Sequence, residues 1–358
     1  MKFLFASDSF KGTLSSPKIA ELLTQAAREI FPDCVCDSIE VADGGEGTTE
    51  AVLSAVKGTT IPLKVHGPLW EELTCSYGML DEKRAVMEMA AASGLPLVPD
   101  EKRDPRYTTS YGTGEMIRDA LERGFRDISI AIGGSATNDG GIGMLQALGY
   151  GFLDKEGKQV PFGARGLEVL EEITDTYVLP ELAECEFRVA CDVTNILCGE
   201  EGCSAVFGPQ KGATPSMIMQ MDKWLEKYAA LAEKKCTKIN ANQAGTGAAG
   251  GLGFAFLSFT NAVLESGIKI VLEETSLEKY MESADIVITG EGRLDGQTAM
   301  GKAPVGVARL AKKHNIPVIA FAGSVTKEAI ACNQNGIDAF FPILRNIVTL
   351  QEAMDHDN

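Results

Sequence analysis

Positive charge is what this chain has least of. Its 33 lysines and arginines face 50 aspartates and glutamates, a formal net charge of −17, with a pI near 4.7. Such a field repels nucleic acid and anionic membrane surfaces, so neither is expected as a partner. Histidine is scarce as well. The three present, His66, His314 and His356, lie far apart, and none of the nine cysteines forms a Cys-x-x-Cys pair, so zinc-site spacing is missing. An odd number of scattered cysteines in 358 residues fits reduced thiols in a cytoplasmic enzyme. No apolar run approaches the ~18 residues of a membrane-spanning helix. The opening Met-Lys-Phe-Leu-Phe-Ala-Ser-Asp is too short in apolar residues for a signal-peptide core. What is present is ordinary: 45% hydrophobic and 23% charged residues, in a chain long enough for two cores.

The stretch from Ile128 to Leu148 organises the rest. Ile128, Ile130 and Ile132 alternate with Ser129 and Ala131, the pattern of a buried strand. Gly133, Gly134, Ser135, Ala136, Thr137, Asn138, Asp139, Gly140 and Gly141 follow. Then Ile142, Leu145 and Leu148 recur at helical spacing before Gly149. A strand, a glycine-rich turn and a helix N-terminus can hold an anion, because glycine lets backbone N–H groups approach an oxyanion. The plain alternative is a tight connection in which a hydroxyl or Asp139 merely caps the helix.

Similar units recur along the chain. A strand at Phe3–Ala6 ends in Asp8-Ser-Phe-Lys11-Gly12, and Ser16-Pro17 opens an amphipathic helix through Ile30. A strand over 38–42 delivers Asp43-Gly-Gly-Glu-Gly47 and another helix. Loops at the carboxyl ends of parallel strands are the usual ligand sites of open α/β sheets. From about 60 to 89 the runs shorten to Ile61–Val65, Leu73–Met79 and Ala85–Met89, which predicts antiparallel hairpins. Later strands end at Asp192–Asn195 and, from Ala284–Thr289, at Gly290–Asp295. A Met and aromatic stripe (Met217, Met221, Trp224, Leu225, Tyr228) reads as helix core packing. A βαβαβ pattern closes the chain. The expected fold class is α/β, with two α/β domains, one inserted into the other: residues 1–65 and 275–358 form a discontinuous domain around an inserted 66–274.

Two phosphate-binding motifs nearly match. Gly296 to Lys302 has P-loop spacing, but Ala303 stands where a hydroxyl should meet Mg²⁺. Gly245-x-Gly247-x-x-Gly250 has dinucleotide spacing, but no buried strand precedes it and no acidic strand end follows. It supports only an alternative reading, a nicotinamide-dependent hydroxy-acid dehydrogenase. A non-catalytic binder of a small polar ligand is a second alternative, which the many loop carboxylates disfavour. As a set, the acidic glycine-rich tips offer oxygens for Mg²⁺ or a proton, and Lys11, Lys211, Arg293 and Lys302 offer counter-charge. Phosphoryl transfer to a small hydroxylated acceptor fits this mixture. For Lys211 and Lys302 a plain surface role fits equally well.

Asp8-Ser-Phe-Lys-Gly12, Ala42 to Gly47, Gly133 to Gly141, Ala190 to Val193, Phe207 to Gly212, Gly245 to Gly251, and Ile288 to Gly292 with Gly301-Lys302 together resemble the type I (GarK-like) bacterial glycerate kinases, in order over essentially the whole chain. The resemblance implies ATP-dependent phosphorylation of D-glycerate, with 2-phosphoglycerate the more expected product. It also implies one flavodoxin-like and one restriction-endonuclease-like domain. Two departures are Ile196, where the family commonly has proline, and the stop at Asn358, where such chains usually continue into a closing helix. On this basis Asp192 is the first candidate to accept the hydroxyl proton, with Asp8 and Asp43 behind it. Lys11 is placed among the catalytic and substrate-binding groups; Arg293 would hold the substrate carboxylate, with Asn195 beside it. Glu291 and Asp295 are candidates for Mg²⁺. Gly133, Gly134, Ser135, Thr137, Asn138, Asp139, Gly140 and Lys302 are candidates for nucleotide phosphate.

Overall fold

The computed structural model describes residues 1–10, 12–235, 240–344, 346 and 349–353. Two compact units divide the chain: one holds residues 1–43, 50–57 and 266–358, the other 44–49 and 58–265. The boundaries differ from the expected 65 and 275. Residues Thr59–His66 pair along their whole length with Glu72–Met79, which assigns them to the second unit's sheet. The helix Gly267–Glu274 groups with the first unit.

The first unit is built on a five-stranded parallel sheet. Its order is Ala339–Pro342, Val318–Val325, Ile286–Leu294, Lys2–Ser7, Val35–Ser38. Phe3, Leu4, Phe5 and Ala6 are all buried, as an interior parallel strand requires on both faces. The first helix, Ser16–Ile30, is capped one residue earlier than the sequence indicates: the Ser15 side chain accepts from the Lys18 N–H, and Pro17 sits in the first turn. The second strand occupies Val35–Ser38 and not 38–42. Val41 and Ala42 are buried nonetheless, as coil. The strand that begins at Ile286 does not stop at Thr289. It runs on to Leu294 because its neighbour continues beside it, pairing Glu291 with Ala322 and Arg293 with Ser324.

The second unit carries a six-stranded mixed sheet. Its order is Asn261–Glu265, Glu186–Ala190, Asp127–Ala131, Arg84–Glu88, Glu72–Met79, Thr59–His66; the first four pair parallel, and Glu72–Met79 pairs antiparallel with both Arg84–Glu88 and Thr59–His66. Ile128 and Ile130 of the central strand are buried with Phe187, Val189, Phe254, Phe256, Leu225 and Tyr228 in one apolar core. Met221, Leu225 and Tyr228 lie on the buried face of the Pro215–Lys235 helix, as their spacing predicts. The Ala248–Phe259 helix is buried nearly throughout, which accounts for its almost uniformly apolar sequence. Among the described residues no helix is long and apolar enough to cross a membrane.

Candidate active site

The first unit gathers carboxylates at the ends of its middle strands. Ser7 pairs with Gly290 in register, and the N–H of Asp8 donates to the Gly290 carbonyl at 2.9 Å. That contact ties Asp8 to the Gly290–Glu291 segment. Asp8 is 4% exposed and Glu291 7%, and Asp8 Oδ1 accepts from the Ser9 N–H at 2.7 Å. Burial pushes the Glu291 carboxyl up to about 7, against a hydrogen bond from Thr298 and the charge of Lys302; the negative charges of Asp8 and Asp43 add to the rise. Asp8, Asp43, Glu291 and Lys302 are thus one electrostatic group.

Asp295 stands apart from it in function. Its Oδ1 accepts from the backbone N–H groups of Gln297 at 2.8 Å and Thr298 at 3.3 Å, while the Thr298 hydroxyl accepts from the Asp295 N–H. This capping box starts a helix at Gly296–Ala299. With Gly296–Ala299 helical where a P-loop needs an open glycine loop, the Gly296–Lys302 spacing does not make one. Lys302 is the residue before the next helix, Ala303–Lys313. Arg293 is largely exposed, its Nε 3.7 Å from Asp295 Oδ2. Lys11 lies outside the described residues.

In the second unit the central loop is more enclosed than its composition indicates. Gly133 and Gly134 are exposed, whereas Thr137, Asn138 and Asp139 are sealed from solvent. The Asp139 carboxylate accepts from the Ser110 N–H and hydroxyl, both at 2.9 Å, and from the N–H groups of Gly141 at 3.1 Å and Gly143 at 3.4 Å. Burial raises its pKa and those bonds oppose the rise. Asn138 donates to the Ser204 hydroxyl at 2.8 Å. A Cβ on Gly140 would meet Tyr228 and Leu225. Expected as phosphate ligands, Thr137, Asn138, Asp139 and Gly140 are instead the inner frame of the loop: a phosphate has no access to their polar atoms. Gly133, Gly134 and Ser135 remain at its accessible edge.

Lys211 supports that edge from within. Surface exposure fits its Gly-Pro-Gln-Lys-Gly context, yet it is buried, and its Nζ donates to Ser135 Oγ at 2.8 Å and the Thr137 carbonyl at 2.6 Å. Burial pulls its ammonium down to about 8. Glu88 is a further residue that sequence reasoning passed over. It ends the Arg84–Glu88 strand and accepts from the N–H groups of Thr49 at 2.7 Å and Gly47 at 3.4 Å, with burial raising its pKa. Its place at the end of an apolar run was the available signal. Ser110 had a weaker one, the hydroxyl run Thr108-Thr109-Ser110 before a helix.

Asp192 is exposed in the loop after the Glu186–Ala190 strand. Asn195 closes that loop, its Nδ2 donating to the Glu201 carbonyl at 2.9 Å and its own carbonyl accepting from the Gly247 N–H at 2.9 Å. The Gly245–Gly253 run packs on protein. A Cβ on Gly247 would lie 2.1 Å from the Ile196 carbonyl oxygen and one on Gly250 2.0 Å from that of Thr137. With its glycines consumed by backbone contact, the run is no dinucleotide fingerprint. The dehydrogenase reading loses its only support.

Buried carboxylates at parallel strand ends in one unit and a lysine-backed glycine loop in the other are each features suited to a phosphotransferase. Comparison with known proteins narrows the class. Residues 3–358 match the glycerate kinase family, and the chain belongs to it. It is 49% identical to the glycerate 2-kinase of Escherichia coli (strain K12) over 99% of this chain and 93% of that one. It is 47% identical to the glycerate kinase of Haemophilus influenzae (strain ATCC 51907 / DSM 11121 / KW20 / Rd), covering 99% and 94%. The crystal structure of putative glycerate kinase 2 from Salmonella typhimurium LT2 superposes with a TM-score of 0.89 at 48% identity, covering 99% of this chain and 93% of that one.

Proposed function

We propose that this glycerate kinase uses ATP and Mg²⁺ to phosphorylate D-glycerate at its 2-hydroxyl. The observation that carries the chemical part of the reading is the Asp8, Asp43 and Glu291 group, in which burial, with the negative charges of Asp8 and Asp43 adding to it, raises the Glu291 carboxyl to about 7. A divalent cation would offset that charge, and hard carboxylate oxygens suit Mg²⁺. Among the described residues no three His, Cys, Asp or Glu side chains form a metal cage by themselves. Mg²⁺ in phosphoryl transfer takes one or two carboxylates and completes its shell with phosphate oxygens and water. Glu291 with Asp8 or Asp43 is the better pair for it, since Asp295 is engaged in capping. Bound there, the ion neutralises phosphate charge.

Asp192, exposed beyond its strand, accepts the proton of the substrate hydroxyl. Arg293, also exposed, holds the carboxylate, with Asn195 and Lys11 assigned to the same substrate. Gly133, Gly134, Ser135 and Lys302 contact phosphate. The name of the Escherichia coli relative, a glycerate 2-kinase, supports the 2-phosphate over the 3-phosphate product. A coupled ADP-release assay with D-glycerate, L-glycerate and tartronate, followed by NMR of the product, tests the reading. ADP release with D-glycerate and a phosphorus coupled to the C2 proton are expected. Phosphate on C3, or release only with another acid, overturns it.

A further inference from the structure

Lys211 is 2% exposed, and among the described residues it forms no ion pair. A buried ammonium is costly to hold without a counter-ion at contact. Its two acceptors are the Ser135 hydroxyl and the Thr137 carbonyl. A hydroxyl that accepts from an ammonium keeps its own hydrogen for another acceptor. Ser135, 7% exposed, is the most accessible residue between 135 and 139; Ala136, Thr137, Asn138 and Asp139 are at 1% or less. Beside it the exposed N–H groups of Gly133 and Gly134 have no protein acceptor among the described residues. The accessible edge of the loop therefore presents donors, backed by a positive charge that solvent does not reach.

We propose that Lys211 is a positioning residue for anion binding, holding the Ser135 hydroxyl with its hydrogen turned outward so that Ser135, Gly133 and Gly134 clamp one anionic oxygen of ATP or of glycerate. Lys211 itself never touches the substrate. The identity of the anion rests on the kinase reading above; the clamp does not. The titratable groups facing Lys211 are Cys203 and Asp139, and burial outweighs both to set its ammonium at about 8. Above that pH the clamp loses its charge while carboxylate and phosphate oxygens stay ionised.

Kinetics of Ser135→Ala, Lys211→Met and the double variant, with ATP and D-glycerate varied separately, test the clamp. Ser135→Ala is expected to raise one KM roughly tenfold while kcat changes less than about threefold, and the substrate affected identifies the anion. Lys211→Met should raise the same KM and add nothing on the Ser135→Ala background, because one interaction is lost in each. If Lys211→Met does not fold, the pH profile decides: that KM should rise above about pH 8 in the wild type and stay flat in Ser135→Ala. Additive effects, parallel pH profiles, or unchanged KM values in Ser135→Ala overturn the proposal. Calorimetric titration of MgATP and of D-glycerate separates it from the kinase reading. Ser135-dependent binding without ADP release overturns the kinase reading alone; binding indifferent to Ser135 overturns the clamp, and absence of binding overturns both.

Discussion

Glu291 shows how a site residue costs the fold something. Its carboxyl moves from an ordinary 4.5 to about 7, so holding it ionised in the folded chain costs up to ~3 kcal/mol. Below pH 4.5 the group is protonated in both states and no penalty applies. Between about pH 4.5 and 7 the unfolded chain ionises while burial, with the charges of Asp8 and Asp43, keeps the folded one protonated, so stability is lost across that window and the full penalty stands above it. Glu291→Gln removes the titration. Urea unfolding in EDTA should show the variant gaining on the wild type between pH 5 and pH 8, by about 1–3 kcal/mol, while its turnover falls at least ~10-fold. Equal pH dependence in the two proteins would show that Glu291 titrates as an ordinary surface carboxylate.

Elements meet in this chain through glycines placed far from each other in sequence. Gly250, at φ +67°, would bring a Cβ within 2.0 Å of the Thr137 carbonyl oxygen, the oxygen that also receives Lys211. Gly157, at φ +75°, faces open space. Both substitutions to alanine carry the left-handed backbone penalty of ~1 kcal/mol, but only Gly250→Ala also forces two backbones apart. It should destabilise by about 3 kcal/mol or more in urea titrations, against roughly 1 kcal/mol for Gly157→Ala; similar losses would mean that the Gly250 contact can relax. This contact also explains what the sequence left hidden. The strand, loop and helix around Ile128–Leu148 were legible because alternation and helical spacing are local. That Thr137, Asn138 and Asp139 face inward was not, since the groups that enclose them, Ser110, Ser204 and Gly250, come from distant parts of the sequence. Lys211 was hidden for the same reason. Glu291 was read as a loop residue because its strand is extended only by its partner, Val318–Val325.

For the whole molecule the governing quantity is charge. The α/β class and the antiparallel runs after residue 59 followed from pattern, and the acidic strand ends followed from motif, but how a chain of net charge −17 admits an anionic acid is a matter of range. At 0.1 M salt the screening length is about 10 Å, so added salt erases the diffuse repulsion of the surface while contact hydrogen bonds such as those proposed at the clamp and at Arg293 persist. Low salt should therefore slow capture of D-glycerate without slowing the step after it. Raising KCl from ~10 to ~150 mM at fixed MgATP should raise kcat/KM for D-glycerate about two- to threefold, through KM, with kcat steady. A fall over that range would mean that local positive charge draws the acid in over long distance and that the acidic surface is turned away from its path.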